Sequence, residues 1–233
     1  MLPKTSMSSE APPYQHIIFD VDSTLVIFEG LDWLAEQKGV ADQVTELTQL
    51  SMDGTVPLES VFAQKMAIIS PTQDDMIKLG HHYCQNLTPG AQEVVQILND
   101  LGKQVWILTG NFEPAVMILA QCLGINPDRV LCNSIDFDDN GNYLGFDASG
   151  PLSRSGGKPQ VIRQNIPSGK SVMIGDGSSD LEARDAVDLF IGFGGVVSRP
   201  KVKQNADIFI DVNNLILILD SILPSTSLDI SNS

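Results

Sequence analysis

Asp20 and Asp22 stand two residues apart at the end of an apolar run, in "HIIFDVDSTLV" (residues 16–26), with Ser23 and Thr24 directly behind them. Side chains two apart share a face while the backbone stays extended, and neighbouring carboxylates raise each other's pKa unless a cation lies between or beside them. Magnesium is the economical cation, because it takes few carboxylates and completes its shell with water or phosphate oxygens. The plainer alternative is that one aspartate caps a turn and the other is solvated.

Three further stretches carry related chemistry. In "MIGDGSSDLEARDA" (173–186), Asp176 and Asp180 surround a glycine-serine turn that opens a helix. Gly175 and Gly177 flank Asp176 with little bulk, as a close approach of backbone to ligand requires. Asp180 can be read equally as a helix N-cap. In "ILTGNFEP" (107–114), Thr109 and Gly110 offer a hydroxyl and backbone amides before a helix, and helix amino termini attract phosphate. In "SGGKPQVIRQ" (155–164), Lys158 follows two glycines at a helix start and supplies a local positive charge. Each stretch alone also reads as an ordinary loop; their order and their shared position at strand ends make the signal.

These residues need a scaffold that brings strand ends together. The runs at 15–19, 104–110, 171–177, 189–195 and 207–210 are short and apolar, which suits strands buried on both faces of a parallel sheet. Helical patterns at 90–101, 113–123, 159–166 and 180–185 separate them. The alternation predicts an α/β fold, a doubly wound, mostly parallel sheet. Asn140-Gly141, between apolar-bearing arms, predicts a β-hairpin decorating that sheet. Between the first two strands, Leu31, Leu34 and Ala35, then Val44, Leu47 and Leu50, then Val61, Phe62 and Met66 follow helical spacing. This predicts a helical insertion after the first strand, longer than a βα crossover needs. Open α/β sheets bind ligands at the carboxyl ends of their strands, so the insertion is a candidate cap over the acids. The expected division is a core at 14–28 and 87–223, a cap at 29–86, and disordered tails at 1–13 and 224–233.

With 233 residues and 42% hydrophobic content, the chain can bury a full core. A net charge of −15 and the lack of a long basic stretch argue against a nucleic-acid partner. Such a surface also repels anionic substrates, so a site for one needs its own cation. The longest apolar run, near Leu215 to Leu219, is far short of the roughly 20 residues that cross a bilayer. No secretory signal is read at the start of the chain. Cys84, Cys122 and Cys132 lack metal-ligand spacing, and reduced, buried thiols in a cytoplasmic protein are expected.

The four motifs "DVDST", "TG", Lys158 and "GDGSSD" appear in the order found in the haloacid dehalogenase superfamily of phosphatases, which this chain resembles. It is similar in particular to the phosphoserine phosphatase branch, through "SMDGTVPLES", "LTPG", "SGGKPQVI" and "GFGGVVSRPKVKQNAD". The resemblance implies that Asp20 is a nucleophile forming an aspartyl-phosphate and that Asp22 is the acid that protonates the leaving oxygen and later activates water. It implies magnesium held by Asp20, the backbone carbonyl of Asp22 and Asp176. Thr109, Gly110 and Lys158 would bind phosphoryl oxygens, and Asp180 would orient Lys158 or a metal-bound water. Glu29 matches the glutamate that binds the substrate ammonium. Met52 and Gly54 are candidates to line the pocket mouth, with core packing the competing reading for a methionine at helical spacing.

Three positions depart from the branch. Lys65 stands where an arginine usually grips the substrate carboxylate, which keeps the charge and loses the bidentate fork. Asn111 replaces a glycine, and Ser179 stands where the branch often has Asn or Thr. For Lys65 a solvated lysine is the competing reading; Arg199 and the "GFGG" turn are candidates for the rim, with a structural duty expected before that. The implied reaction is magnesium-dependent hydrolysis of a small phosphomonoester, phosphoserine first, in L-serine biosynthesis, by a monomer or homodimer. The rivals are a sugar or polyol phosphatase, a phosphotransferase of the same fold, and a phosphate-binding or receiver-like signalling domain.

Overall fold

The run His16–Phe19 forms strand β1, and it is buried along its whole length because parallel neighbours flank both edges and helices cover both faces. A computed structural model describes residues 14–52 and 58–223. Strand β2 is Gln104–Phe112, β3 Val130–Asn133, β6 Ser171–Gly175, β7 Leu189–Phe193 and β8 Ile208–Ile210; between β3 and β6 lie β4, Ile135–Phe137, and β5, Tyr143–Phe146. The main sheet has six strands in the order β3-β2-β1-β6-β7-β8, all parallel. Chain order reverses beside β1, which places its carboxyl end at the switch point where such sheets bind ligands.

Alternating side chains divide the core in two. Ile17, Phe19, Val105, Ile107, Val172 and Ile174 join one apolar cluster, while Ile18, Trp106, Leu108 and Met173 join the other. Helices α5 (Ala91–Asp100) and α6 (Ala115–Leu123) contribute to the first, and α7 (Gly157–Asn165) and α9 (Pro200–Asn205) to the second. Helix α8, Ser178–Glu182, follows β6. Helices thus cover both faces, as the alternation of strands and helices predicts.

Between β1 and β2 stand α1 (Gly30–Gln37), α2 (Ala41–Met52), α3 (Leu58–Ile69) and α4 (Gln73–Gln85). Leu31, Leu34, Ala35, Val44, Val61 and Met66 are buried within them. Helix α4 starts with a capping box: Thr72 Oγ1 accepts from the Asp75 N–H at 3.2 Å, and Asp75 Oδ2 accepts from the Thr72 N–H at 2.9 Å. The outgoing and returning chains are stitched together. Val26 and Leu87 form an antiparallel bridge, the Ile27 N–H donates to Asn86 O at 3.1 Å, and the Thr88 N–H donates to Leu25 O at 2.9 Å.

Several expectations need correction. The expected hairpin is present as β4–β5, but it is a sheet of its own and leans on the inserted helices: Phe146 meets Phe62 of α3 edge-on at 5.4 Å, and Gly141 O accepts from the Gln73 N–H at 2.9 Å. Phe62 and Phe146 both pack on Phe112, so each ring is shielded by the other two. Strand β2 runs two residues past Gly110 through a register shift between Leu108 and Phe112, bringing Phe112 to that aromatic contact. Helix α7 begins at Gly157, so Lys158 lies inside it. The short edge strand β3 has no counterpart in the sequence reading. Cys122 is exposed on α6, Cys84 and Cys132 are half-buried, and all three are free thiols. No helix among the described residues is long and apolar enough to cross a membrane. Both terminal tails, Gly54 and the side chain of Met52 lie outside the described residues.

Candidate active site

Asp20 follows β1 directly, and its N–H donates to Ile174 O of β6 at 3.0 Å, which fixes it between the two central strands. Lys158, 6% exposed, projects from the first turn of α7 and places Nζ 2.9 Å from Asp20 Oδ1; it also donates to Asp180 Oδ1. Burial alone lowers a lysine pKa, but Asp180 and Asp20 outweigh it and hold Lys158 charged. Asp180 is fully buried at the third position of α8, not at its N-cap, and its second oxygen reaches back to the Gly177 N–H at 2.9 Å. The room at Gly175 is taken by this carboxylate and not by a ligand: a Cβ there would lie 2.3 Å from Asp180 Cγ.

Asp176 follows β6 and is 3% exposed. Burial and the nearby Asp20 push it up to about 7 against the pull of Arg199, whose Nε donates to Asp176 Oδ2 at 2.9 Å. Burial and Asp20 likewise push Asp180 up to about 8 against Lys158. Asp20, Asp176 and Asp180 each offer one carboxylate oxygen, all within 4.8 Å of one another. A buried set of hard oxygen donors, with two carboxylates pushed upward by lack of compensation, fits a small divalent cation. Asp180 belongs to this cluster in addition to the residues expected from sequence.

The carboxylate of Asp22 faces elsewhere. Its Oδ2 accepts from the Gly30 N–H at 2.9 Å and its Oδ1 from the Tyr83 hydroxyl at 3.2 Å. Asp22 is extended (φ −63, ψ 136) and Ser23 is left-handed (φ 53, ψ 12), so the chain turns at once behind the acid pair. Burial, then Glu29, raise the Asp22 pKa well above the usual carboxylate range against hydrogen bonds from Asn111 and Gly30. Thr109 and Asn111 are buried on β2, where the Asn111 N–H donates to Thr109 Oγ1 at 3.2 Å.

Asp20, Asp22, Glu29, Lys65, Thr109, Gly110, Asn111, Lys158 and Ser179 line one cavity of about 330 Å³, together with Asp32 and Arg154. Lys65 Nζ is 3.5 Å from Asp32 Oδ1, so its charge is partly spoken for and it is not simply solvated. Glu29 Oε1 accepts from Ser23 Oγ at 2.8 Å and from Arg199 Nη2 at 3.3 Å. Arg199 therefore ties Glu29 to Asp176. Sequence reasoning passed over Tyr83 and Asp32 and gave Arg199 no partner.

A family model, described as haloacid dehalogenase-like hydrolase, matches residues 17–184. The phosphoserine phosphatase of Bos taurus is 41% identical over 197 residues, spanning 83% of this chain and 88% of that one. The chain belongs to the haloacid dehalogenase-like hydrolases, in their phosphoserine phosphatase branch. Membership makes it a phosphoric monoester hydrolase. Among solved structures, a phosphoserine phosphohydrolase-like protein from Francisella tularensis superposes with a TM-score of 0.78 at 26% identity, covering 90% of this chain and 100% of that one. A phosphoserine phosphatase holding an analogue of the phospho-aspartyl intermediate superposes with a TM-score of 0.73 at 26% identity, covering 91% of this chain and 100% of the other.

Proposed function

We propose that the protein hydrolyses phosphoserine through a phosphoryl group carried on Asp20, with magnesium as its cofactor. The observation that carries this reading is the buried Lys158, paired with both Asp20 and Asp180 beside Asp176, with Asp20 and Lys158 lining a cavity at the sheet's switch point. Asp20, Asp176 and the carbonyl of Asp22 would hold magnesium, with Asp180 close by. When bound, it offsets the charge on the acids and on the phosphoryl oxygens. Asp176 keeps one oxygen for that purpose while the other stays on Arg199.

A carboxylate oxygen of Asp20 attacks phosphorus, the ester O–P bond breaks, and Asp22 gives its proton to the departing alkoxide. Asp22, now a carboxylate, takes a proton from water as that water attacks the aspartyl-phosphate, and Asp20 is released with inorganic phosphate. The raised pKa of Asp22 suits a group that begins the cycle protonated. Lys158 neutralises the phosphoryl group, and Thr109 Oγ1 and the Gly110 N–H donate to its oxygens. Glu29 faces the substrate ammonium, and Lys65 faces its carboxylate. Residues 29–86 act as a cap that excludes water. The free thiols suit a cytoplasmic enzyme.

Phosphate release from phosphoserine, glycerol phosphate and p-nitrophenyl phosphate, with magnesium and after chelation, tests the reading. Phosphoserine should be turned over best, and chelation should abolish release from all three. If chelated protein kept its rate, magnesium would be rejected. The Lys65–Asp32 pair supports a second reading, a polyol or sugar phosphate, because it lessens the positive charge available to a carboxylate. Faster release from glycerol phosphate than from phosphoserine would select it.

A further inference from the structure

We propose that Tyr83 is a positioning residue for Asp22, an inference that rests on the acid role proposed above for that aspartate. Tyr83 lies in the last turn of α4 and is fully buried, with Phe28 packed at 5.4 Å between ring centroids. Its hydroxyl donates to Asp22 Oδ1, while the N–H of Gly30, the first residue of α1, donates to Oδ2. A carboxylate held by one donor can still rotate about its Cβ–Cγ bond, whereas donors on both oxygens fix the plane of the group. Burial, with Asp22 beside it, pushes the phenol well above its ordinary range, so Tyr83 remains a donor.

The two donors come from opposite ends of the inserted helices, where the chain leaves the sheet and where it returns. The acid's aim is therefore set by the way these helices sit on the sheet. A group already aimed at the leaving oxygen need not reorganise as the bond breaks.

The test uses the full-length protein with magnesium and two substrates: an alkyl phosphate that the wild type hydrolyses, and p-nitrophenyl phosphate, whose leaving group departs without needing a proton. Tyr83→Phe should lower kcat/KM for the alkyl ester about ten-fold and leave the nitrophenyl ester within about two-fold. Altered packing would lower both alike, so equal losses, or no loss, overturn the proposal. Asp22→Asn is measured alongside. If it lacks this dependence on the leaving group, the acid assignment itself falls; if it shows the dependence and Tyr83→Phe does not, only the role of Tyr83 falls. Gly30→Ala gives a second route, since its methyl would lie 2.1 Å from the Tyr83 hydroxyl oxygen and must displace it. The alanine should reproduce the selective loss in the presence of Tyr83 and add little to Tyr83→Phe. Fully additive losses would count against the pairing.

Discussion

The cavity has a floor and a roof built on different principles. The floor consists of Asp20, Thr109 and Lys158, with Asp176 and Asp180 clustered beside Asp20; all five are carried on the central strands, just after them or in the first turn of a helix, and are nearly closed to solvent. The roof includes Glu29, which reaches Arg199, and Lys65 of α3, which pairs with Asp32 of α1; its two carboxylates are more open, with Asp32 49% and Glu29 41% exposed. Bond-breaking needs groups fixed to fractions of an ångström, and parallel strands supply that. On the function proposed above, choice of substrate falls to groups on the inserted helices, which can close on a guest.

The sharpest way to break this contrast is to remove the proposed nucleophile. Asp20→Asn keeps the size of the side chain and should reduce phosphate release by at least about a thousand-fold, measured with p-nitrophenyl phosphate. Lys158→Met should come next, lowering turnover about a hundred-fold. It also leaves Asp20 and Asp180 facing each other without a cation, which should lower unfolding stability by about 3–5 kcal/mol in urea titration. On the roof, Lys65→Ala should raise KM for phosphoserine about three- to ten-fold and leave kcat unchanged, because a partly paired lysine contributes to binding alone. A kcat loss matching that of Lys158→Met would erase the distinction between floor and roof.

The smallest expected effect lies in the frame of the roof. Burial acts against it, but the Thr72 N–H and Lys38 prevail and hold Asp75 below the usual carboxylate range. A folded-state value below the unfolded one means that its stabilisation is complete above the unfolded carboxylate value and fades as pH falls through the folded value. Asp75→Asn should therefore cost about 1 kcal/mol at neutral pH, and the gap to wild type in thermal melts should close in acid.

The floor was legible because its parts are local. Asp20, Thr109 and Asp176 each end or follow an apolar run that reads as a strand, and Lys158 announces itself after two glycines. The roof was less so, because its contacts join distant positions: Arg199 lies 170 residues from Glu29 and 23 from Asp176, and no spacing rule links them. Tyr83 looks like one more apolar residue on the buried side of α4 until its hydroxyl is seen on Asp22. The hairpin was readable from Asn140-Gly141, yet what it would touch depended on Phe62 and Phe112, which only the folded chain brings together. Strand β3 is too short and too weakly patterned to separate from a loop.

The bridge between Val26 and Leu87, with the backbone bonds on either side of it, gives the excursion toward α1–α4 a pinched neck. Seen from the sheet, everything beyond that neck is a pendant whose two ends depart and arrive at a single spot. A different pendant could be transplanted there without altering strand order, provided it also covered α6 and Phe112, on which α4 and α3 now pack. The same hydrolytic base could then be retargeted to new phosphate esters by swapping what hangs above it, provided the graft again supplied donors for Asp22.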